Sequence, residues 1–576
     1  MRRYSENDND VLLAGIPVHG EPMGKRTVGR AGRDTLIGSD ILVRSLERLG
    51  VPQVWGFPGH VPTFIRELNG SAIDYVPTRH AQAVAFAAEV VGRYASRPSV
   101  CYASLKLDAV NLMTAVAHAY LIGAPVLILL DGTQNAADEF ALVLQSDLVT
   151  QMRPLLKFTQ SVTCASEIPA ALDRAHHAAL HGRPGPVVLR LAHSALSAQV
   201  TEELDLKASR PVVLESPRTV EYQQIDSVYQ ALRACQAPLI VAGDEIVRTG
   251  AEDEFRAFVE HFEIPVFTTL DAKGVVPEDH PLSLGPLAEG FDDAYDPIVS
   301  AADLIMFAGC DSMTDIPNSL RRNVESARVI NIGISLDSAP EFTRNGTHMV
   351  TNLRTLFKLL AAQNPGVRPM RPELSGFRGR VREILNTRAT GSVYLVTLLD
   401  IMRAHLHPDD VIVCDVSLSA PVAVYYQALR PRTVVFSAPS ALGFEIPGAI
   451  GIKSTDPSRR VVALCARPSL LFSVQEIETS VRSDLPIVVV LLETDSVPEG
   501  RGVSLTPAGK VPFMNDVVAL VNSLGAVAVQ ARTVAEFERA FREACPSPLT
   551  TLIVAPPAIE NTTPALPRKI ATRVGN

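Results

Sequence analysis

The side chains of this sequence best equipped for chemistry are few and far apart. Arg467 carries a planar guanidinium that can grip a phosphate or carboxylate through two parallel hydrogen bonds, and Lys106 offers a point charge or an amine nucleophile. His80 can exchange a proton near neutral pH, although a histidine as readily caps a helix or fills a core. Glu493 adds one carboxylate. His60 and His118 have no second ligand at a metal-binding spacing. The seven cysteines (Cys101, Cys164, Cys235, Cys310, Cys414, Cys465 and Cys545) form no CxxC pair, which argues against a zinc site or a disulfide framework and fits a reducing cytosol. Cys310 and Cys414 close apolar runs, where α/β sites gather but where small buried thiols also serve as packing.

The elements that must position these groups follow from the apolar pattern. A chain of 576 residues is too long for one core and suggests three or four compact units. With 47% hydrophobic and 6% aromatic residues, it suits parallel sheets wrapped by helices. The net charge of -9 and the scattered basic residues give no footprint for nucleic acid. No apolar run reaches the roughly 18 residues that span a bilayer, and the opening MRRYSENDND is charged where a signal peptide is apolar, so a cytoplasmic protein with no membrane partner is expected.

Residues 1–34 read as a flexible arm. From there, helical stretches at Gly38–Leu49, Gln82–Tyr94 and Asn111–Leu121 alternate with strands at Gln53–Gly56, Tyr75–Pro77, Ser99–Ala103 and Pro125–Leu130. A second set of strands is expected at Pro238–Ala242, Pro265–Thr269, Leu304–Ala308 and Arg328–Ile332. A third is expected at Val411–Cys414, Thr433–Phe436, Val461–Leu464, Ile487–Leu492 and Leu552–Val554. The fold class is therefore α/β, with three doubly wound parallel-sheet domains over 35–197, 216–362 and 390–558, a linker at 363–389 and a tail at 559–576.

Several segments resemble the thiamine-diphosphate enzymes that include acetolactate synthase, pyruvate oxidase and benzoylformate decarboxylase. VWGFPGH at 54–60, TRHAQAVAFAAEVVGRYASRPSVCYAS at 78–104, NLMTAVAHAYLIGAPVLIL at 111–129 and GRPGPVVLRL at 182–191 are similar to the family's pyrimidine-binding domain. DAKGVVPEDHPLSLG at 271–285 is similar to its middle domain, and SALGFEIPGAIGIK at 440–453 with LPIVVVLLETD at 485–495 to its diphosphate-binding domain.

The resemblance implies a set of cofactor residues from which this chain departs. The family's RHE glutamate is replaced by Ala81, whose methyl relays no proton, a change that one branch, the glyoxylate carboligases, tolerates. The family's Gly-Pro-Gly turn falls at Leu105-Lys106-Leu107-Asp108. Its magnesium motif, Gly-Asp-Gly then Asn-Asn, falls at Ala466-Arg467-Pro468 and Glu493-Thr494, where a guanidinium cannot ligate the ion. Val416-Ser417-Leu418-Ser419 follows Asp415, and Glu445 stands where a glycine is usual. By the same resemblance Lys106 and Arg467 face the cofactor cleft from opposite domains across a subunit interface, and Ser417, Leu442 and Ser469 line the diphosphate side.

The expectation drawn from these departures is a chain that binds neither thiamine diphosphate nor magnesium. The middle domain is left open to FAD or ADP, and His80, Lys106, Arg467 and Glu493 are the candidate catalytic residues. Three functions stand open: a re-purposed enzyme acting on a small anionic ligand, a 2-oxo acid or phosphorylated compound, in the interdomain cleft; a pseudoenzyme partnering an active paralogue; and a conventional thiamine-diphosphate lyase or transferase. The resemblance also implies a homodimer or homotetramer.

Overall fold

The computed structural model describes residues 36–57, 62–104, 107–132, 149–200, 220–288, 291–311, 317–335, 343, 345–366, 383, 393–438, 441–492 and 516–556. The arm, most of the linker and the tail expected from the sequence lie outside them, as do Lys106 and Glu493.

Three six-stranded sheets, each with all-parallel pairing, organise the chain. The first contains β1 (Gln53–Gly56), β2 (Asp74–Pro77), β3 (Ser99–Ser104), β4 (Val126–Asp131), β5 (Phe158–Val162) and β6 (Val187–Leu191), in the order β2-β1-β3-β4-β6-β5. The second contains β7 (Pro238–Ala242), β8 (Val266–Thr268), β9 (Ser283–Pro286), β10 (Leu304–Ala308), β11 (Arg328–Gly333) and β12 (Thr347–Val350), in the order β9-β8-β7-β10-β11-β12. The third contains β13 (Val411–Cys414), β14 (Val434–Phe436), β15 (Val461–Ala466), β16 (Val488–Leu492), β17 (Val527–Gln530) and β18 (Thr551–Val554), in the order β14-β13-β15-β16-β18-β17. The first and third sheets thus repeat one winding. Central strands such as VLILLD and VVVLL are buried on both faces, as helices on each side of a parallel sheet require. A two-residue antiparallel pairing of Leu36–Ile37 with Gln199–Val200 ties the start of the first domain to its end.

Six helices position the site: α1 (Ala81–Ala95), α2 (Leu107–Leu121), α3 (Glu245–Arg248), α4 (Glu445–Thr455), α5 (Arg467–Ser473) and α6 (Glu476–Arg482). The first and third domains share one continuous core, in which α1 and α2 pack with α4 over β13, β15 and β16. Small residues let α1 and α4 touch along their backbones. A Cβ on Gly451 would lie 2.7 Å from the Ala87 carbonyl oxygen, closer than side chains come. In a doubly wound sheet the crevice lies at the carboxyl ends of the two strands where the winding reverses. In the third sheet those strands are β13 and β15, which end at Cys414-Asp415 and Ala466-Arg467.

Candidate active site

Asp415 closes that crevice from below. It is fully buried; its Oδ1 accepts hydrogen bonds from the Ser417 amide (2.8 Å) and hydroxyl (3.0 Å), and its Oδ2 accepts one from the Ala466 amide (2.9 Å). The carboxylate clamps the ends of β13 and β15 together and fixes Ser417 at the edge. Arg467 follows directly as the first residue of α5 and is partly exposed.

Under this edge lies a second carboxyl. Glu445 opens α4 at zero exposure, and its Oε2 pairs with the Ser469 hydroxyl at 2.9 Å, which in turn accepts the Gly443 amide at 2.8 Å. Its Oε1 is buried without a hydrogen-bond partner. Burial, reinforced by the charge of Asp415, pushes the Glu445 carboxyl up to about 8, so it carries its proton at neutral pH. Gly443 is required on two counts: its φ is +79°, and a Cβ there would lie 2.7 Å from Phe472 Cβ. Ser417, Leu442, Ser469 and Arg467 are therefore brought to one strand edge.

His80 lies elsewhere, at the start of α1. Its Nδ1 accepts the Gln82 amide at 3.2 Å, so the ring is an N-cap. Both oxygens of Glu476 accept the Arg79 amide at 3.1 Å, and the Arg79 guanidinium forks onto Glu478 at 2.5 and 2.7 Å. This contact presses the turn containing His80 and the buried Ala81 against α6 of the third domain. Burial raises the Glu476 carboxyl.

Sequence reasoning set aside His118, which makes a buried polar contact between these domains. His118 in α2 is 2% exposed; its Nδ1 lies 2.6 Å from Oε2 of Glu89, which is itself fully buried in α1. Its Nε2 accepts the Ala438 amide at 2.8 Å, so the ring proton sits on Nδ1 and points at Glu89. The Ser437 hydroxyl stands 3.3 Å from the same Nε2. Burial pushes the Glu89 carboxyl up against the pull of His118. The ring also packs against Phe86 and Phe444, next to Glu445. The clue in the sequence is an ionisable residue in the middle of a largely apolar stretch of each helix, AFAAEVV around Glu89 and TAVAHAYL around His118. Replacing His118 with phenylalanine strands Glu89 and the Ala438 amide. The expected loss is about 1–3 kcal/mol in urea unfolding, and an unchanged midpoint would contradict this role.

In the middle domain the crevice between β7 and β10 is narrow: a Cβ on Gly243 would lie 2.2 Å from the Gly309 carbonyl oxygen. Arg248 of α3 reaches Asp311 at 2.6 Å, and Glu245 accepts the Ile334 amide at 2.9 Å, so side chains of the domain itself cross the strand ends. Among the described residues no cluster of three or more metal-ligating side chains occurs, and no helix is long and apolar enough to cross a membrane.

Three doubly wound domains, with polar groups at the reversal point of the third, define a class of nucleotide- and diphosphate-binding α/β proteins. Family models described as the N-terminal TPP binding domain, the central domain and the C-terminal TPP binding domain of thiamine pyrophosphate enzymes match residues 37–151, 225–360 and 416–555. The chain belongs to the thiamine pyrophosphate enzyme family and is acetolactate synthase-like. It is 24% identical to the acetolactate synthase large subunit of Corynebacterium glutamicum, over 90% of this chain and 87% of that protein. It is 26% identical to the acetolactate synthase isozyme 3 large subunit of Escherichia coli, over 89% and 92%. It is also 26% identical to a probable 2-ketoarginine decarboxylase of Pseudomonas aeruginosa, over 90% and 94%.

These matches correct the expectation of a chain without a cofactor. The models that fit the first and third domains are those of thiamine pyrophosphate-binding domains, and the acetolactate synthase relatives match nearly end to end, which points to thiamine diphosphate. The expectation rested on the departures at Ala81, Leu105–Asp108, Ala466–Pro468 and Glu493-Thr494, whereas hydroxyls and main-chain amides elsewhere on a strand edge can also hold a diphosphate. The residues present fit such a group. Arg467 and Ser417 stand at the edge with Ser469 beneath, and Glu445 is neutral near pH 7.

Proposed function

We propose that this protein is a thiamine-diphosphate-dependent lyase or transferase that forms or cleaves the carbon–carbon bond beside the carbonyl of a small 2-oxo acid. The observation that carries the reading is the convergence of Arg467, Ser417 and Ser469 at the reversal point of the third sheet. Bound thiamine diphosphate would supply a nucleophilic carbon for the substrate carbonyl and a place for the electron pair released when the bond breaks. Arg467 and Ser417 would hold the diphosphate, and Asp415 keeps Ser417 in position. Glu445 holds a proton on its carboxyl beneath them. The buried methyl of Ala81 moves no proton.

Calorimetry with thiamine diphosphate and magnesium, followed by assays of carbon dioxide release from pyruvate, 2-oxobutyrate and 2-ketoarginine, tests the reading. Micromolar binding and turnover of one of the three are expected. Arg467→Ala should weaken binding about 10- to 100-fold, the size of a lost charge-assisted contact. Absence of binding would sink the proposal. Ala81 favours a second reading, a non-catalytic member that partners an active relative; cofactor binding without turnover of any 2-oxo acid would support it.

A homodimer or homotetramer is part of the proposal. Val110, Tyr120 and Leu121 of α2 are exposed by 38%, 38% and 43%, and a second copy would cover them. Seven free cysteines suit the cytosol.

A further inference from the structure

One hydrogen-bonded chain lies beneath the strand edge. It runs from the Gly443 amide to the Ser469 hydroxyl to the Glu445 carboxyl, and it ends at an Oε1 that is fully buried and has no partner. The Ser469 oxygen has one hydrogen to give, and the Gly443 amide already occupies one of its two acceptor positions. The direction of the remaining bond therefore depends on where the Glu445 proton lies.

We propose that Glu445 couples proton binding to anion binding at this edge: protonated, it donates to Ser469 and the edge accepts a diphosphate, whereas ionised, it takes the Ser469 hydrogen and the edge repels one. This inference rests on the functional reading above. In the first state the serine hydrogen is released for another acceptor. In the second it is turned inward, and a negative charge with an unpaired oxygen lies beneath the site, where burial leaves it poorly screened. An anion bound above Glu445 disfavours its ionisation, so binding takes up a proton whenever the free protein has lost it.

The surroundings leave Glu445 as the group that changes charge. From β13 it faces Cys414 and, just beyond, Asp415; from β15 it faces Cys465. Burial pushes both thiols well up, so they stay neutral, and Asp415 is held by three donors. Glu89 of α1 is engaged by His118, and Glu476 of α6 by the Arg79 amide. On α5, Arg467 stands two residues ahead of Ser469.

The test is calorimetric titration of thiamine diphosphate, with magnesium present throughout, into the full chain from pH 6.5 to 9.5, in buffers of different ionisation enthalpy. For the unaltered protein the affinity should fall at least about tenfold between pH 7 and 9.5, with uptake of up to about one proton per site in the alkaline range. Glu445→Gln cannot ionise, and its amide donates permanently to Ser469, so its affinity should vary little with pH and its proton uptake should vanish. Ser469→Ala, a second variant should the first fold poorly, lacks the hydroxyl that both contacts the edge and relays the Glu445 proton, so it should bind more weakly than the unaltered protein at pH 7 and show a smaller fall in affinity between pH 7 and 9.5. Identical pH profiles and proton uptake in the unaltered protein and Glu445→Gln would overturn this inference while leaving the functional reading intact. No binding at any pH in any form would overturn both.

Discussion

Arg248→Ala should destabilise the protein by about 3–5 kcal/mol, the usual consequence of leaving buried charges without their partner. The Arg248 side chain is only 5% exposed. Its Nη1 lies 2.6 Å from Asp311 and 3.7 Å from Asp244, and its Nη2 lies 3.6 Å from Glu245. Burial alone would raise the Asp311 carboxyl, but the guanidiniums of Arg248 and Arg183 outweigh it and hold the group below the usual carboxylate range. A depressed carboxylate contributes stability that is present above its unfolded value and is lost as pH falls through the folded one. The difference between variant and unaltered protein should therefore be full at neutral pH and shrink in acid. Urea unfolding followed by circular dichroism at pH 7 and pH 3 reads both effects, and a shift below 1 kcal/mol at pH 7 would show that the three carboxylates are satisfied without Arg248. Arg183, 3.8 Å from Asp311, also joins the first domain to this cluster, so the loss should spread beyond the middle sheet.

The second large effect concerns Glu445 in the protein without ligand. Its folded value of about 8 stands well above the ordinary 4.5, and each unit of displacement corresponds to about 1.4 kcal/mol. The sign follows from proton counting: between these values the unfolded chain has released the proton and the folded chain still holds it, so stability falls as pH rises. The expected decline is about 5 kcal/mol from below pH 4.5 to above pH 8. Glu445→Gln, which has no such proton to lose, should be the more stable of the two at pH 8.5 and should show a flatter curve. Stability curves that run parallel from pH 5 to 9 would refute the assignment.

How much of this was legible beforehand depends on what kind of burial an element has. Pro238–Ala242, Leu304–Ala308 and Val411–Cys414 were expected with the bounds observed, because a strand covered on both faces must be an uninterrupted apolar run, and Gln53–Gly56 was expected with its bounds although it opens on a polar residue. Phe158–Val162, Ser283–Pro286, Thr347–Val350 and Val527–Gln530 were not expected as strands; these four are edge strands, half-covered or short, and FTQSV or THMV carries no continuous apolar signal. Val187–Leu191 was not expected as a strand either, although it is interior and buried, because Arg190 interrupts its short apolar run. Of the candidate residues, Ser417, Leu442, Arg467 and Ser469 were named from family motifs and meet at one edge, while His80 is placed as a helix cap.

The amino-acid sequence by itself determined the three doubly wound domains and the polar residues of the third-domain edge, since both follow from local patterns of apolar runs and short motifs. The tertiary structure alone decided which polar groups face one another. Glu89 and His118 lie 29 residues apart, His118 and Ala438 lie 320 apart, and Glu445 and Ser469 lie 24 apart on different elements. No spacing rule predicts such pairs. They exist because packing α1 and α2 on α4 removes water from those side chains, and a polar group deprived of water must find its partner in whatever the fold has brought alongside.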